Sequence, residues 1–187
     1  MKKVYDIDFY GKATYNKKLE IWKSLTPIEI LFNGKNCSLD FYIEDATPLT
    51  TQYKFDNTSI TLDPYTIKME QKDALGQKQL FDKYLKEPKD MIELFDKKII
   101  KDFIEVKDII FDNDRYREKY FEVETIEKIR TADTPEKIFD MIHFKELTLA
   151  VNQIRIIGKC DYYCIDYGVS ITNNEKIYAG SVEMIYC

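Results

Sequence analysis

Side chains that commonly serve as nucleophiles and general bases are scarce in this sequence. His143 is the single histidine, and the four cysteines are Cys37, Cys160, Cys164 and Cys187. A catalytic Cys–His pair would require His143 to meet Cys160 or Cys164 in the fold, but a histidine at a helix end that complements the helix dipole is the favoured interpretation. Residues four apart on a strand lie about 13 Å apart, too far for a shared metal ion or a disulfide. Cys160 and Cys164 are therefore predicted to be free thiols in the core.

Motifs for metal ions and phosphate groups are incomplete. Asp112-Asn113-Asp114 resembles the start of a calcium loop, but Arg117 occupies the position that requires glycine. Gly158-Lys159 lacks the spacing and the following hydroxyl of a phosphate-binding loop. Because the chain has 33 acidic residues, a pair of carboxylates does not by itself indicate a glycoside hydrolase. The sequence predicts no catalytic residue, no metal and no cofactor, and a carboxylate-based hydrolase remains one alternative.

Acidic side chains interleaved with tyrosines are the strongest candidates for a functional surface. Tyrosine anchors protein contacts, and carboxylates attract Lys and Arg of a partner. The alternative is an ordinary exposed helix whose tyrosines face the core. The first group is Asp112, Asp114, Tyr116, Glu118, Tyr120, Glu122 and Glu124, and the second is Asp161, Tyr163, Asp166 and Tyr167.

Strands are predicted in the N-terminal third of the chain. They are part of the fold that must position the two groups of acidic residues and tyrosines. Apolar residues alternate on both sides of Asn33-Gly34 between residues 28 and 43, and Asn-Gly tolerates the positive φ angles of a tight turn. This pattern predicts a β-hairpin. Alternation also predicts strands at 4–9 and 19–22, with a further candidate at 53–62.

Helices are predicted in the middle third. Apolar residues recur with helical spacing over 77–86 and again over 91–103, where they predict an amphipathic helix of about four turns with Pro88 in its first turn. Residues 112–130 are compatible with either a helix or extended chain. The cap, proline and glutamate in residues 133–136 predict a short helix that ends near His143.

Strands return in the C-terminal third. A series of strands, then helices, then strands indicates one α+β domain over residues 1–187, with a mainly antiparallel sheet and amphipathic helices packed on one face. The predicted strands lie at 147–151, 154–157, 162–165, 169–171 and 177–185, with turns at Gly158, Tyr167-Gly168 and Asn173-Asn174.

The charge distribution favours a basic protein partner. The formal net charge is −5, and residues 87–146 carry 17 acidic against 12 basic side chains. An acidic segment repels nucleic acid and attracts a basic protein. Asp6 and Asp8 interrupt the apolar run that would follow Lys2 and Lys3 in a signal peptide, and no stretch approaches the ~20 apolar residues of a membrane span. We expect a cytoplasmic protein that is not bound to a membrane.

Two short motifs carry a resemblance to a known group of proteins. They are residues 134–139, Thr-Pro-Glu-Lys-Ile-Phe, and residues 166–171, Asp-Tyr-Gly-Val-Ser-Ile. With the order of elements, they resemble a loose group of bacterial proteins that includes immunity proteins of polymorphic-toxin and contact-dependent growth inhibition systems. The resemblance implies a non-enzymatic inhibitor that binds a cognate toxin domain, commonly a basic nuclease, in a 1:1 complex. A structural or assembly subunit that forms a homo-oligomer is the alternative.

Overall fold

The protein has strands at both ends of the chain and helices in the middle. The computed structural model describes residues 4–7, 11–16, 18, 21–44, 66–67, 71–163 and 165–182. Among the described residues, no helix is both long and apolar enough to cross a membrane. The strands are β1 (Val4–Ile7), β2 (Gly11–Asn16), β3 (Ile21–Ser24), β4 (Ile28–Phe32), β5 (Lys35–Ile43), β6 (Thr66–Ile67), β7 (Ile142–Leu149), β8 (Gln153–Cys160), β9 (Tyr167–Thr172) and β10 (Ile177–Ser181). The helices are α1 (Gln71–Tyr84), α2 (Lys89–Asp112), α3 (Asp114–Tyr120), α4 (Val123–Thr131) and α5 (Pro135–Asp140).

The strands form a mostly antiparallel sheet. Its order is β10-β9-β8-β7-β5-β3-β2-β1-β6, and β4 pairs with β5 outside this path. Only two of the described strand pairs, β5 with β7 and β1 with β6, are parallel. The α+β class predicted from the sequence is confirmed. The candidate strand at 53–62 lies outside the described residues, as do Cys164 and Cys187.

The predicted hairpin is formed by β4 and β5. Ile28 pairs with Leu39 and Phe32 pairs with Lys35. The turn between the strands has φ angles of 41° at Asn33 and 80° at Gly34, which matches the left-handed conformation that this dipeptide tolerates. The hairpin prediction is therefore confirmed in its position and in its turn.

Helix α2 is the main helical contribution to the core. It has 24 residues, which is longer than the predicted four turns, and its apolar stripe packs on the sheet as the periodicity predicted. The buried side chains of α2 and of the central strands form one core. They include Met91, Phe95, Ile99, Phe103, Ile110, Leu147, Ile156, Val169 and Ile171.

The ambiguous segment 112–130 consists of two short helices. The backbone of Phe121 and Glu122 is extended, with ψ angles of 137° and 155°, and this break separates α3 from α4. Asn113 ends α2 and begins α3, because its side-chain oxygen accepts a hydrogen bond from the backbone N–H of Tyr116 at 3.0 Å. An asparagine in extended conformation at this position is a typical helix N-cap.

Helix α5 begins as predicted but ends early. The Thr134 side chain accepts a hydrogen bond from the Lys137 N–H, and Pro135 is the first helical residue. The helix ends at Asp140 because strand pairing begins at Ile142, opposite Cys160. His143 lies on β7 beside Lys159, so the prediction of a helix-terminal histidine is wrong.

Three predictions around β8 and β9 are also wrong. Gly158 lies inside β8, where it pairs with Tyr167, and Gly168 lies inside β9. Neither glycine is therefore in a turn. Gly158 faces the irregularity of β7 between Phe144 and Glu146. The described residues of the predicted strand at 162–165, which are Tyr162, Tyr163 and Ile165, lie in no strand.

Candidate functional site

Helix α3 directs its tyrosines toward solvent. Tyr116 is 38% exposed and Tyr120 is 48% exposed, and their ring centroids lie 4.8 Å apart. None of the residues of α3 is buried. The interpretation that these tyrosines face the core is therefore wrong. Instead, two adjacent aromatic rings are available on the surface of the first acidic group.

The inner side of α3 is held by an arginine. The Arg117 side chain is 18% exposed, and its guanidinium lies 5.5 Å from the centroid of the Phe111 ring. It also donates a hydrogen bond to the backbone carbonyl of Phe111 at 3.4 Å and forms an ion pair with Asp114. Arg117 thus ties α3 to the C-terminal end of α2 through Phe111.

The acidic residues of the first group are exposed and only partly neutralised. Asp114 pairs with Arg117, and Glu124 lies 3.5 Å from Lys128. In the described part of the chain, no basic group lies within ion-pair distance of Asp112, Glu118 or Glu122. Asp112, Glu118 and Glu122 therefore keep their negative charge, although the Lys119 ammonium lies 4.9 Å from the centroid of the Tyr120 ring.

Two apolar residues on the helices that flank α3 in the sequence are exposed as well. Ile109, on α2, is 61% exposed, and Val123, the first residue of α4, is 78% exposed. Sequence reasoning missed both, although Ile109 falls outside the apolar stripe of α2 and could have been noticed on that ground. An apolar centre with a charged rim is typical of protein interfaces. We call this surface the helical patch: Ile109, Asp112, Asp114, Tyr116, Glu118, Tyr120, Glu122, Val123 and Glu124.

The second acidic and aromatic group is divided between surface and core. Asp166 is exposed and pairs with Lys159, and Asp161 is half-buried, 3.9 Å from the Nε2 atom of His143. Tyr167 has no exposed surface. Its predicted role as a contact residue is wrong for this fold, because its pairing with Gly158 places the ring in the core.

The remaining tyrosine of the second group, Tyr163, is only partly accessible. Tyr163 lies in the β8–β9 connection and is half-buried. The pKa of its hydroxyl is raised by burial first, then by Asp102, Cys160 and Tyr116.

A buried carboxylate, that of Asp102, lies beside Tyr163. Asp102 on α2 is 8% exposed, and the Tyr163 hydroxyl donates to its Oδ1 at 3.1 Å and its Oδ2 at 3.3 Å. Burial raises the pKa of Asp102, and the hydrogen bond from Tyr163 only partly offsets that rise. The Tyr162 and Tyr167 hydroxyls are buried and have no partner of good hydrogen-bond geometry. This polar cluster is incompletely satisfied, which is uncommon in a core.

The arrangement does not assemble a Cys–His pair or a metal site from the described residues. Cys160 is buried and faces the core, where burial raises the pKa of its thiol, whereas His143 is exposed. Within the described ranges, no three side chains of the types His, Cys, Asp and Glu converge to hold an ion. Comparisons with protein-family models, with curated proteins and with solved structures find no match.

Proposed function

We propose that this chain is a cytoplasmic immunity protein that binds and neutralises a basic toxin domain through a protein–protein interface. The observation that carries the proposal is the exposed pair of Tyr116 and Tyr120, with ring centroids 4.8 Å apart, among acidic side chains. The resemblance of residues 134–139 and 166–171 to bacterial immunity proteins supports the same function.

The composition of the helical patch fits a protein partner. Tyr116, Tyr120, Ile109 and Val123 offer apolar area that would be removed from water on binding, and tyrosine is enriched among residues that dominate binding energy. Exposed apolar side chains on neighbouring helices have no evident role in the stability of the isolated chain. Their exposure therefore supports the proposal that they form the centre of an interface.

The charge of the patch supports a basic protein as the partner. The carboxylates of Asp112, Glu118 and Glu122 lack a basic neighbour at ion-pair distance within the described part of the chain. They would attract a partner rich in Lys and Arg and speed the encounter. Nuclease active sites bind phosphate and are accordingly basic, so a nuclease domain is the most concrete partner.

A second copy of this chain fits the patch less well. Self-association through one patch would bring the carboxylates of both copies together, and like charges at an interface are unfavourable. A homo-oligomer therefore requires a different surface. Its detection by light scattering, without a partner, would favour an assembly subunit over an immunity protein.

The direct test is binding to the C-terminal domain of a large secreted protein encoded immediately upstream. Co-purification and calorimetry should give a 1:1 complex with nanomolar affinity. We expect the affinity to fall about ten-fold or more between low salt and about 0.5 M salt, because rim charges are screened. Failure of the two folded proteins to bind at low salt, or the absence of such a gene, would contradict the proposal.

A further inference from the structure

Asn33 is the only asparagine in the chain that is followed by glycine. Asparagine is one of the thermolabile residues, because its side-chain amide can react with the backbone nitrogen of the next residue. Glycine has no Cβ atom that would shield this nitrogen. Gly34 is exposed, and a Cβ atom built there would meet nothing within 4 Å. The fold therefore leaves the nitrogen free to approach the Asn33 amide.

The backbone nitrogen of Gly34 lies outside the strand ladder. Phe32 and Lys35 close the hairpin, so the two turn residues between them take no part in strand pairing. Among the described residues, no backbone carbonyl is seen to accept a hydrogen bond from the Gly34 N–H. This N–H is therefore able to lose its proton to solvent, which the nitrogen must do to act as a nucleophile.

The side-chain amide of Asn33 is not fixed, although the backbone of Asn33 is. The Asn33 N–H donates a hydrogen bond to Oδ2 of Asp96 on α2 at 3.3 Å. The Nδ2 atom of Asn33, in contrast, is buried and has no hydrogen-bond partner of good geometry. A buried polar group without a partner costs free energy, and no hydrogen bond retains this nitrogen when its bond to carbon breaks.

We propose that Asn33 is a site of spontaneous deamidation in the folded chain. The Gly34 nitrogen attacks Cγ of Asn33, the new C–N bond closes a succinimide ring, and the bond between Cγ and Nδ2 breaks. Nδ2 leaves as ammonia with the proton that the Gly34 nitrogen gives up. Water then opens the ring at one of its two carbonyl carbons and gives aspartate or isoaspartate at position 33. This chemistry needs only water and does not depend on the proposed function.

The product would disturb the contact between the hairpin and α2. Because the Asn33 N–H already contacts Asp96, a carboxylate on the same residue would lie close to the Asp96 carboxylate, and like charges repel. Oδ1 of Asp96 is also buried without a partner. Lys35 in the same hairpin is engaged with α5, where it donates to the Phe139 carbonyl at 3.3 Å and lies 3.8 Å from Asp140.

Peptide mapping by mass spectrometry tests the reaction on the folded full-length chain, incubated in mildly alkaline buffer. Position 33 should be converted several-fold faster than Asn36, which is exposed in the same hairpin and followed by Cys37. Gly34→Ala should slow the conversion several-fold, because its methyl group shields the attacking nitrogen. An Asn33 that stays intact while Asn36 is converted, or equal rates in the wild type and Gly34→Ala, would overturn the proposal.

Urea at concentrations below the unfolding transition separates reaction in the native turn from reaction in unfolded molecules. The rate at position 33 should stay constant over this range, because the native turn is already open to attack. A rate that rises steeply with urea would mean that the chain must unfold first. Such a rise would overturn the claim that the folded chain is the reactive form.

The effect of the product is tested with Asn33→Asp, which introduces the new carboxylate directly. Asn36→Asp is the matched control, since it makes the same change in charge at an exposed position of the same hairpin. At neutral pH, Asn33→Asp should lower the urea midpoint several-fold more than the control does. Adding Asp96→Asn should restore most of that difference, because the repelling charge is removed. Equal midpoints in the two single variants, or no recovery in the double variant, would overturn the predicted conflict with Asp96.

Discussion

The ammonium group of Lys107 lies 2.9 Å from the carbonyl oxygen of Arg130 and donates a hydrogen bond to it. The same ammonium group donates a second hydrogen bond, to the carbonyl oxygen of Ala132 at 3.2 Å. These carbonyls are at the C-terminus of α4, where helices leave acceptors unsatisfied. A side chain of α2 thus caps α4 and sets the separation of the two helices that flank α3.

We expect Lys107→Met to lower the free energy of unfolding by about 1 kcal/mol, because a cap and its favourable charge are lost while most of the apolar stem is kept. Lys101→Met is the control, since Lys101 is exposed on the same helix and meets only Glu105, at 3.7 Å. Urea denaturation of both variants measures the difference. Equal stability of the two would mean that the cap contributes nothing.

Asn113 links local helix formation to the proposed surface. Its side chain caps α3 through the Tyr116 N–H, so Asn113→Ala should cost about 1 kcal/mol and Asn113→Asp almost nothing. Because α3 presents Tyr116 and Tyr120, the alanine variant should also bind the toxin domain several-fold more weakly. Denaturation and calorimetry on the same samples test both effects. Unchanged binding by a destabilised alanine variant would exclude α3 from the interface.

Charge reversal tests the acidic rim directly. Glu118→Lys, Glu122→Lys and Glu124→Lys combined should weaken toxin binding about a hundred-fold and remove most of its salt dependence. The control makes the same change in net charge elsewhere, at the exposed residues Glu87, Glu93 and Asp140, and should bind within about three-fold of wild type. Unchanged affinity of the first variant would place the contact on another surface.

Elements with local signals were predicted from the sequence, as the hairpin at Asn33-Gly34 and helix α2 illustrate. The exposure of individual site residues was harder to predict. Tyr163 and Tyr167 look equivalent in the sequence, but the pairing of Tyr167 with Gly158 places its ring in the core. Strand register depends on partners that are distant in the chain, so it is not visible in one segment.

The exposure of apolar residues also depends on packing that one segment of the sequence does not show. Burial is the default expectation for Ile109 and Val123, and only the packed arrangement of α2, α3 and α4 reveals their exposure. Strand β2 was missed because its apolar residues do not alternate clearly, with Ala13 its only buried side chain. The sequence predicts a turn at Gly158 because glycine most often marks one. Its actual role depends on the irregular pairing of β7 with β8.

Gly158 should tolerate a side chain far less well than Gly34 does. A Cβ atom there would lie 2.1 Å from the His143 carbonyl oxygen and 2.6 Å from the Phe144 Cα, both backbone atoms. Gly158→Ala should therefore cost about 3 kcal/mol or more. Gly34→Ala meets no neighbour within 4 Å and strains only the turn, at about 1 kcal/mol. Thermal denaturation compares the loss of stability in the two variants. Similar losses of stability would contradict this close contact of β7 and β8.

Asp96 should make the protein more stable at mildly acidic pH. Its carboxylate accepts a hydrogen bond from the Asn33 N–H at 3.3 Å, yet burial raises its pKa to about 6, with Glu93 adding to the rise. A group with a higher pKa in the folded state binds more protons when folded, so the free energy of unfolding increases as pH falls from 7 toward 5. Since Asp96 is only half-buried, its contribution is about 1 kcal/mol.

Asp96→Asn isolates this contribution, because the amide retains an oxygen that can accept from Asn33 and does not titrate. Burial also raises the pKa of Asp102 and of Glu146, so the variant should keep part of the gain on acidification. Urea denaturation at pH 5 and pH 7 measures the gain for wild type and variant. The same gain in both proteins would show that the ionised Asp96 is no less favourable in the fold than in water, and that the hairpin turn tolerates its charge on α2.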